Sequence, residues 1–374
     1  MGEPIRVAHV VGKMVGGGLE AVVMNYYRHI DRSRVQFDLL VDSDSTLVPR
    51  DEVEFLGGRV IEVPPYQDIV ASQRELLRLF RREHWPIVHS HMNALSVFPL
   101  HAACKAGVPV RIAHSHSTSG GGEYIRNAMK AVLKTQANLY PTHRFACSRH
   151  AGEWLFGKNA DFEVVYNAIE LDRFRFDSEA RREARRVLGI PDSRFVIGNV
   201  GRFMPQKNQA FLVEAFGLAC SERVDVALVL VGEGPMRGEV ERLAASKGLA
   251  DRVFFLGQRD DMERLYSAFD AFALPSLYEG LGIVAIEAQR AGVPCLLSDR
   301  VPGEVNVTGE CRFLPIDDPK AWSDAIHSMA EKPSEQRSAI DDSCFALYDI
   351  DSAAGLLARR YESLLEEAGK WSGA

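Results

Sequence analysis

At 374 residues the chain is too long for one comfortable core, and two domains are the natural expectation. Apolar residues make up 46% and charged residues 25%, the balance of an ordinary globular protein. A net charge of -7 excludes a general nucleic-acid binder, which needs a basic footprint to displace counterions.

In chain order, short apolar runs alternate with helical patterns. Ile5–Val11 reads as a buried strand, followed by a glycine loop at Gly16-Gly17-Gly18 and a helix from about Leu19. Strands are predicted at Phe37–Val41, Ile87–His89, Val110–Ala113 and Thr142–Cys147, with an amphipathic helix over Glu75–Arg82. Asn167–Arg194 is rich in charge and poor in strand signal, and reads as a connection. The grammar restarts after Pro191: strands at Phe195–Val200, Val226–Val231, Val253–Leu256, Ala271–Leu274 and Cys295–Leu297, helices over Gln209–Ala219 and Met236–Lys247. A last helix spans roughly Ser352–Ala368. Strands joined by helices imply mostly parallel sheets covered on both faces. The expected architecture is α/β, two Rossmann-like doubly wound domains, residues 1–170 and 171–351, with the last helix packing back on the first. In such sheets ligands bind at the carboxyl ends of the strands, and two such domains facing one another make a cleft for a two-part ligand.

The halves differ in charge. Residues 1–170 carry 19 of the 44 Lys/Arg and 18 of the 51 Asp/Glu, leaving 25 against 33 for the rest. Ten of the 11 histidines fall in the first half, which suits handling of hydroxyls or protons. The six cysteines are scattered with no C-x-x-C pair, so zinc and thioredoxin-like readings lack the spacing they need. No secretory pattern is read at the N-terminus and no apolar run approaches 18 residues. The expected location is cytoplasmic, with peripheral contact at the inner membrane face the alternative.

The most informative stretch is Pro275-Ser276-Leu277-Tyr278-Glu279-Gly280-Leu281-Gly282-Ile283-Val284-Ala285-Ile286-Glu287. A strand ends, a glycine-containing loop follows, and a helix begins near Gly282. Exposed amides at that helix start favour a phosphate, and Gly280 and Gly282 let the backbone approach it. Two glutamates eight apart mean little alone. Eight helical residues nevertheless span roughly 12 Å, a scale that reaches from a sugar past a pyrophosphate to a ribose. Arg202 and Lys207 follow a strand across a Pro-containing turn. Aimed at one point, the two cations would stabilise the charge of a departing diphosphate.

These residues resemble the GT-B-fold retaining glycosyltransferases of family 4 (glycosyl transferases group 1), whose E-x7-E signature Glu279 and Glu287 match. Further similar segments run in order: Gly16-Gly17-Gly18-Leu19-Glu20, Asn167-Ala168-Ile169-Glu170-Leu171-Asp172-Arg173-Phe174, Gly201-Arg202-Phe203-Met204-Pro205-Gln206-Lys207-Asn208, and Val231-Gly232-Glu233-Gly234-Pro235. His114-Ser115-His116-Ser117 and Arg144-Phe145-Ala146-Cys147-Ser148 look most like members that build exopolysaccharide or capsule repeats. Ala168 stands where Gly is usual, and Leu281 where Phe is common.

The resemblance implies transfer of a sugar from a nucleotide diphosphate-sugar, a UDP-sugar, to an acceptor hydroxyl with retention. It makes Arg202, Lys207, Glu279 and His116 the catalytic set. Gly17, Gly18, Gly232, Arg259, Gly280, Leu281, Gly282, Ile283 and Glu287 become donor contacts, and His91, His114 and Glu123 acceptor-side candidates. Which of His114 and His116 enters the site stays open. The partners implied are the donor and a glycan or lipid-linked acceptor, with no cofactor and no metal. Asp42-Ser43-Asp44 and Asp349-Ile350-Asp351 read D-x-D, the metal pattern of a different glycosyltransferase fold, and neither is expected to hold a catalytic ion. Arg74, Arg78, Arg81 and Arg82 form a basic amphipathic patch. The first reading is the solvated face of a sheet-covering helix, with contact to anionic lipid the second. Rival readings are an epimerase or hydrolase acting on nucleotide-sugars, and a silent nucleotide-sugar-binding protein.

Overall fold

The computed structural model describes residues 3–118, 132–222, 225–331 and 340–371. The chain divides into two units, Met1–Ile169 with Leu347–Ala374, and Glu170–Ala346. Each is built on one parallel sheet.

In the first unit the strands are β1 (Ile5–Gly12), β2 (Val35–Asp42), β3 (Arg59–Val63), β4 (Ile87–Ser90), β5 (Val110–Ser115), β6 (His143–Ala146) and β7 (Glu163–Val164). Their spatial order is β3-β2-β1-β4-β5-β6-β7, parallel at every pairing. β1 and β4 lie inside the sheet and are buried nearly end to end, as strands covered on both faces must be. Asp38, fully buried on β2, accepts from Arg6 at 2.7 Å, Arg59 at 2.5 Å and the Trp85 indole at 2.7 Å, so its charge is compensated on three sides.

The expected boundaries were 170/171 and 351/352; the chain crosses at 169/170 and returns earlier, at 346/347. The reason is local. Ile169 bridges to Asp349, and its N–H donates to the Tyr348 carbonyl at 2.8 Å, drawing that segment into the first unit ahead of the last helix. That helix, Ile350–Trp371, is tied to the first unit by Arg34–Glu362 and Arg360–Glu163, both at 2.5 Å.

In the second unit the strands are β8 (Phe195–Val200), β9 (Val226–Val231), β10 (Val253–Phe255), β11 (Ala271–Leu274), β12 (Cys295–Ser298) and β13 (Arg312–Leu314). Their order is β10-β9-β8-β11-β12-β13, again parallel. Phe203, Phe216 and Trp322, all under 2% exposed, fill the core on one side.

The stretch expected to be a bare connection contains a helix, Ser178–Leu188. Asp177 caps it by accepting from the amides of Glu179 and Ala180, and Gly189 ends it in the left-handed region. Its inward residue is Arg185, 1% exposed, whose guanidinium meets Asp270 Oδ2 at 2.5 Å. Apolar periodicity could not find a helix that docks through an arginine.

Candidate active site

In the second unit the expected donor residues gather at the carboxyl ends of β8, β9 and β11. The turn after β8 carries Arg202, and a short 3-10 turn, Pro205–Lys207, carries Lys207. Asn208 closes that turn at φ 55, a left-handed conformation that Asn tolerates. The turn is stitched to the loop after β11: Leu277 N–H donates to the Gln206 carbonyl at 2.8 Å, and the Gln206 amide to the Tyr278 carbonyl at 2.9 Å. The stitching sets Lys207 Nζ 2.6 Å from Glu279 Oε1, both side chains largely buried. Arg202 is exposed, and no hydrogen bond or ion pair engages its guanidinium among the described residues.

Gly232 explains why the β9 loop must carry glycine. Its φ is +136, and a Cβ there would lie 2.3 Å from the Gly201 carbonyl oxygen. The Gly201–Arg202 backbone is therefore backed directly by the next loop, which fixes where Arg202 leaves the sheet. Gly282, at φ +93, is the N-cap of the helix Ile283–Arg290 and offers it no side-chain cap. Ala285 N–H donates to the Gly282 carbonyl at 2.9 Å, which leaves the Ile283 and Val284 amides without an acceptor in the helix and available to an anion. Ile283 opens that helix half-buried, whereas Leu281 is 1% exposed. Only the Leu281 backbone can touch a ligand; its side chain is core, which is how Leu substitutes for the usual Phe.

Glu287 lies farther along the same helix. Tyr266 O–H donates to Oε2 at 2.6 Å. Burial pushes this carboxyl up to about 7, opposed by the Tyr266 hydrogen bond and by the Arg173 charge. Tyr266 was not anticipated: an unremarkable aromatic in the short helix Met262–Ala268 gives no signal until the fold sets it against Glu287. Arg259 is paired with Asp261 at 2.6 Å, so any contact with a donor would compete with that pair.

In the first unit the G-G-x-E loop is held by its own glutamate. Glu20 accepts from Gly17 N–H at 2.6 Å and Val15 N–H at 2.9 Å, so the Gly17 amide is already occupied. Gly18, at the start of the helix Gly18–His29, faces open space and can admit a ligand. The D-x-D acids do not converge: Asp42 is buried and accepts from Tyr66 N–H, while Asp44 pairs with Lys13 at 2.6 Å. Asp349 accepts from Ser352, and Asp351 pairs with His29 at 2.7 Å. In the basic patch, Arg78 pairs with Glu75 and Arg82 with Glu83, each at 2.5 Å, reducing its net charge.

Five of the 11 histidines form one assembly. His89 and His91, like His114 and His116, are two residues apart, so each pair projects from the same sheet face. His114 lies deeper, its Nδ1 2.9 Å from His89 Nε2; His116 lies nearer the strand end, its Nε2 2.9 Å from His91 Nδ1. Both therefore enter the cluster. The His116 backbone N–H donates to Asn93 Oδ1 at 2.7 Å, which fixes the turn. His9 joins from β1, aligned with His89, its Nδ1 2.9 Å from His91 Nε2. Tyr361 closes the deep end, its hydroxyl 2.7 Å from His89 Nδ1. His9 was not singled out, although a histidine inside the apolar run Val7–Val11 was a visible signal. Glu123 and the Gly120–Gly122 loop lie outside the described residues.

Two family models match the chain: Glycosyltransferase Family 4 over residues 16–173 and Glycosyl transferases group 1 over residues 180–343. A Bacillus subtilis (strain 168) protein provisionally assigned as glycosyltransferase EpsF is 35% identical over 97% of both chains. The Escherichia coli UDP-Gal:alpha-D-GlcNAc-diphosphoundecaprenol alpha-1,3-galactosyltransferase is 26% identical over 79% of each. Among solved structures, HepE from Anabaena in complex with UDP superposes with a TM-score of 0.77 at 19% identity, covering 96% of this chain and 100% of that one. Sucrose-phosphate synthase from Thermosynechococcus elongatus gives 0.78 at 19%, covering 97% and 100%. With two parallel-sheet α/β units in the GT-B fold and these relatives, the chain belongs to the family 4, group 1 glycosyltransferases.

Proposed function

We propose that the chain transfers a sugar from a UDP-sugar to the hydroxyl of a glycan or lipid-linked acceptor, with retention of anomeric configuration, in bacterial polysaccharide or glycoconjugate assembly. The observation that carries the reading is the Lys207–Glu279 pair at 2.6 Å, set beside exposed Arg202 and the uncapped helix start at Gly282. In the step, the acceptor oxygen bonds to the anomeric carbon as the bond to the diphosphate oxygen breaks on the same face. That departing oxygen takes the acceptor proton. Arg202, Lys207 and the helix amides hold the growing diphosphate charge, so no metal ion is required for departure. Glu279 orients Lys207 and accepts from sugar hydroxyls, while Glu287 Oε1 accepts from the ribose. His116 is assigned a contact with the transferring sugar. Choice of UDP is supported by the E. coli relative, named for UDP-Gal, and by HepE, described with UDP and with UDP and glucose.

The test is transfer from labelled UDP-sugars to diphospholipid-linked and free glycan acceptors, with the product's anomeric configuration read by NMR. Arg202→Ala and Lys207→Ala should each lower turnover by about 100-fold or more, the usual loss for a charge-stabilising group. Unimpaired transfer by both variants would sink the assignment. Rapid donor consumption without acceptor would favour a hydrolase or epimerase.

A further inference from the structure

The five clustered histidines exceed what sugar recognition by His116 needs, and their ring nitrogens are unevenly satisfied. Among the described residues His114 Nε2, His116 Nδ1 and His9 Nε2 are buried without a hydrogen-bond partner. We propose that His91, His114 and His116 form a binding site for one divalent transition-metal ion of the zinc, cobalt or nickel class.

One ring nitrogen from each of the three lies within 4.8 Å of the other two. The remaining nitrogens identify which ones face the ion. His91 Nε2 is committed to His9 Nδ1, and His114 Nδ1 to His89 Nε2. His114 Nε2 has no partner, and His91 Nδ1 and His116 Nε2, bonded only to each other, would exchange that one bond for the ion. Each ligand then has an outer partner that fixes its tautomer: His9 for His91, His89 backed by Tyr361 for His114, and Asn167 for His116. Asn167 faces the His116 ring, yet neither its Oδ1 nor His116 Nδ1 has a partner in hydrogen-bond geometry. With His116 Nε2 donating its proton to His91, Nδ1 presents a lone pair to an amide oxygen, which is unfavourable. Ligation through Nε2 moves the ring proton to Nδ1, where Asn167 Oδ1 can accept it. The same ion satisfies His114 Nε2.

An all-imidazole set suits these ions and not magnesium or calcium. The nitrogens of His91 and His116 stand 2.9 Å apart and would open to about 3.3 Å around a tetrahedral ion. His116 is the least buried of the three, leaving the fourth position on its side for water or an anion. The second cluster, His9, His89 and His91, is the poorer candidate: both His89 nitrogens are bonded outside it, to Tyr361 and His114, so ligation would break a further bond that the first cluster keeps.

The test uses the full chain, stripped with EDTA and freed of chelator, with no nucleotide or acceptor present, so that its outcome is independent of the transfer reading. Zinc is titrated calorimetrically and cobalt by its visible absorption. The expected result is one ion per chain, an intense tetrahedral cobalt spectrum, and weakening of about 10-fold or more in both His114→Ala and His116→Ala. His29→Ala, a surface control, should bind as the parent does. Circular dichroism checks that the variants fold; His116, nearest the strand end, is the safer of the two. No binding by the parent, or equal binding by a folded His116→Ala variant, overturns the site.

Discussion

Glu287 shows how a residue's role depends on its surroundings rather than its spacing from another acid. Its carboxyl, pushed up to about 7 by burial, binds a proton more readily folded than unfolded, where the ordinary value is 4.5. The sign follows: the folded form gains stability from protonation at low pH and loses it as pH rises from about 4.5 through about 7. Glu287→Gln keeps a partner for Tyr266 and removes the charge. It should stabilise the ligand-free chain at pH 8 by roughly 1–3 kcal/mol and flatten the dependence, read by denaturant unfolding at pH 5 and 8. The same variant should bind UDP more weakly, because a neutral amide is a poorer partner for ribose hydroxyls. His116 carries a second residue-scale expectation. One Nε2 cannot ligate an ion and serve a sugar hydroxyl, so zinc loading should slow transfer in a steady-state assay. Chelation should restore it, and metal-free turnover should match that of untreated, ion-free protein.

At the scale of elements, legibility followed apolar periodicity. β8, β9 and β11 were expected with the bounds they have, because β9 and β11 are continuous apolar runs and β8 departs from one only at Gly198 and Asn199. The helix start at Gly282 was equally visible, since glycines and the E-x7-E spacing are local features. The helix Ser178–Leu188 was hidden because four arginines occupy it and one of them points inward. Asp270 makes that arrangement possible. It accepts from Arg181, Arg185 and the Val196 amide, at 2.7, 2.5 and 2.8 Å. Asp270→Ala should therefore cost about 3–5 kcal/mol, the usual penalty for leaving a buried charge unpaired, measured by urea unfolding. If the loss stays below about 1 kcal/mol, the helix docks by other means. Gly17 gives a similar lesson for the site. The motif pointed at the loop, but only the fold reveals that Glu20 consumes its amide and leaves Gly18 as the open position.

For the molecule as a whole, repetition of the strand–helix grammar after Pro191 was enough to foresee two parallel sheets. The return of the C-terminal segment at Leu347 was harder to place, because one backbone bridge at Ile169 decides it. The His cluster was half legible: the pairs 89/91 and 114/116 have strand parity, whereas Tyr361 and Asn167 arrive from distant parts of the chain. No helix among the described residues is long and apolar enough to cross a membrane. The central claim is that Arg202 and Lys207, the latter oriented by Glu279, hold the diphosphate of a UDP-sugar. Its most direct test is a thermal-shift titration of UDP-sugars, UDP, ADP and GDP against the parent and Lys207→Ala. The account predicts that UDP compounds raise the parent's melting temperature by several degrees, as saturating a folded-state site should, and that Lys207→Ala loses most of the shift. Equal shifts in parent and variant, or none with any nucleotide, would contradict it.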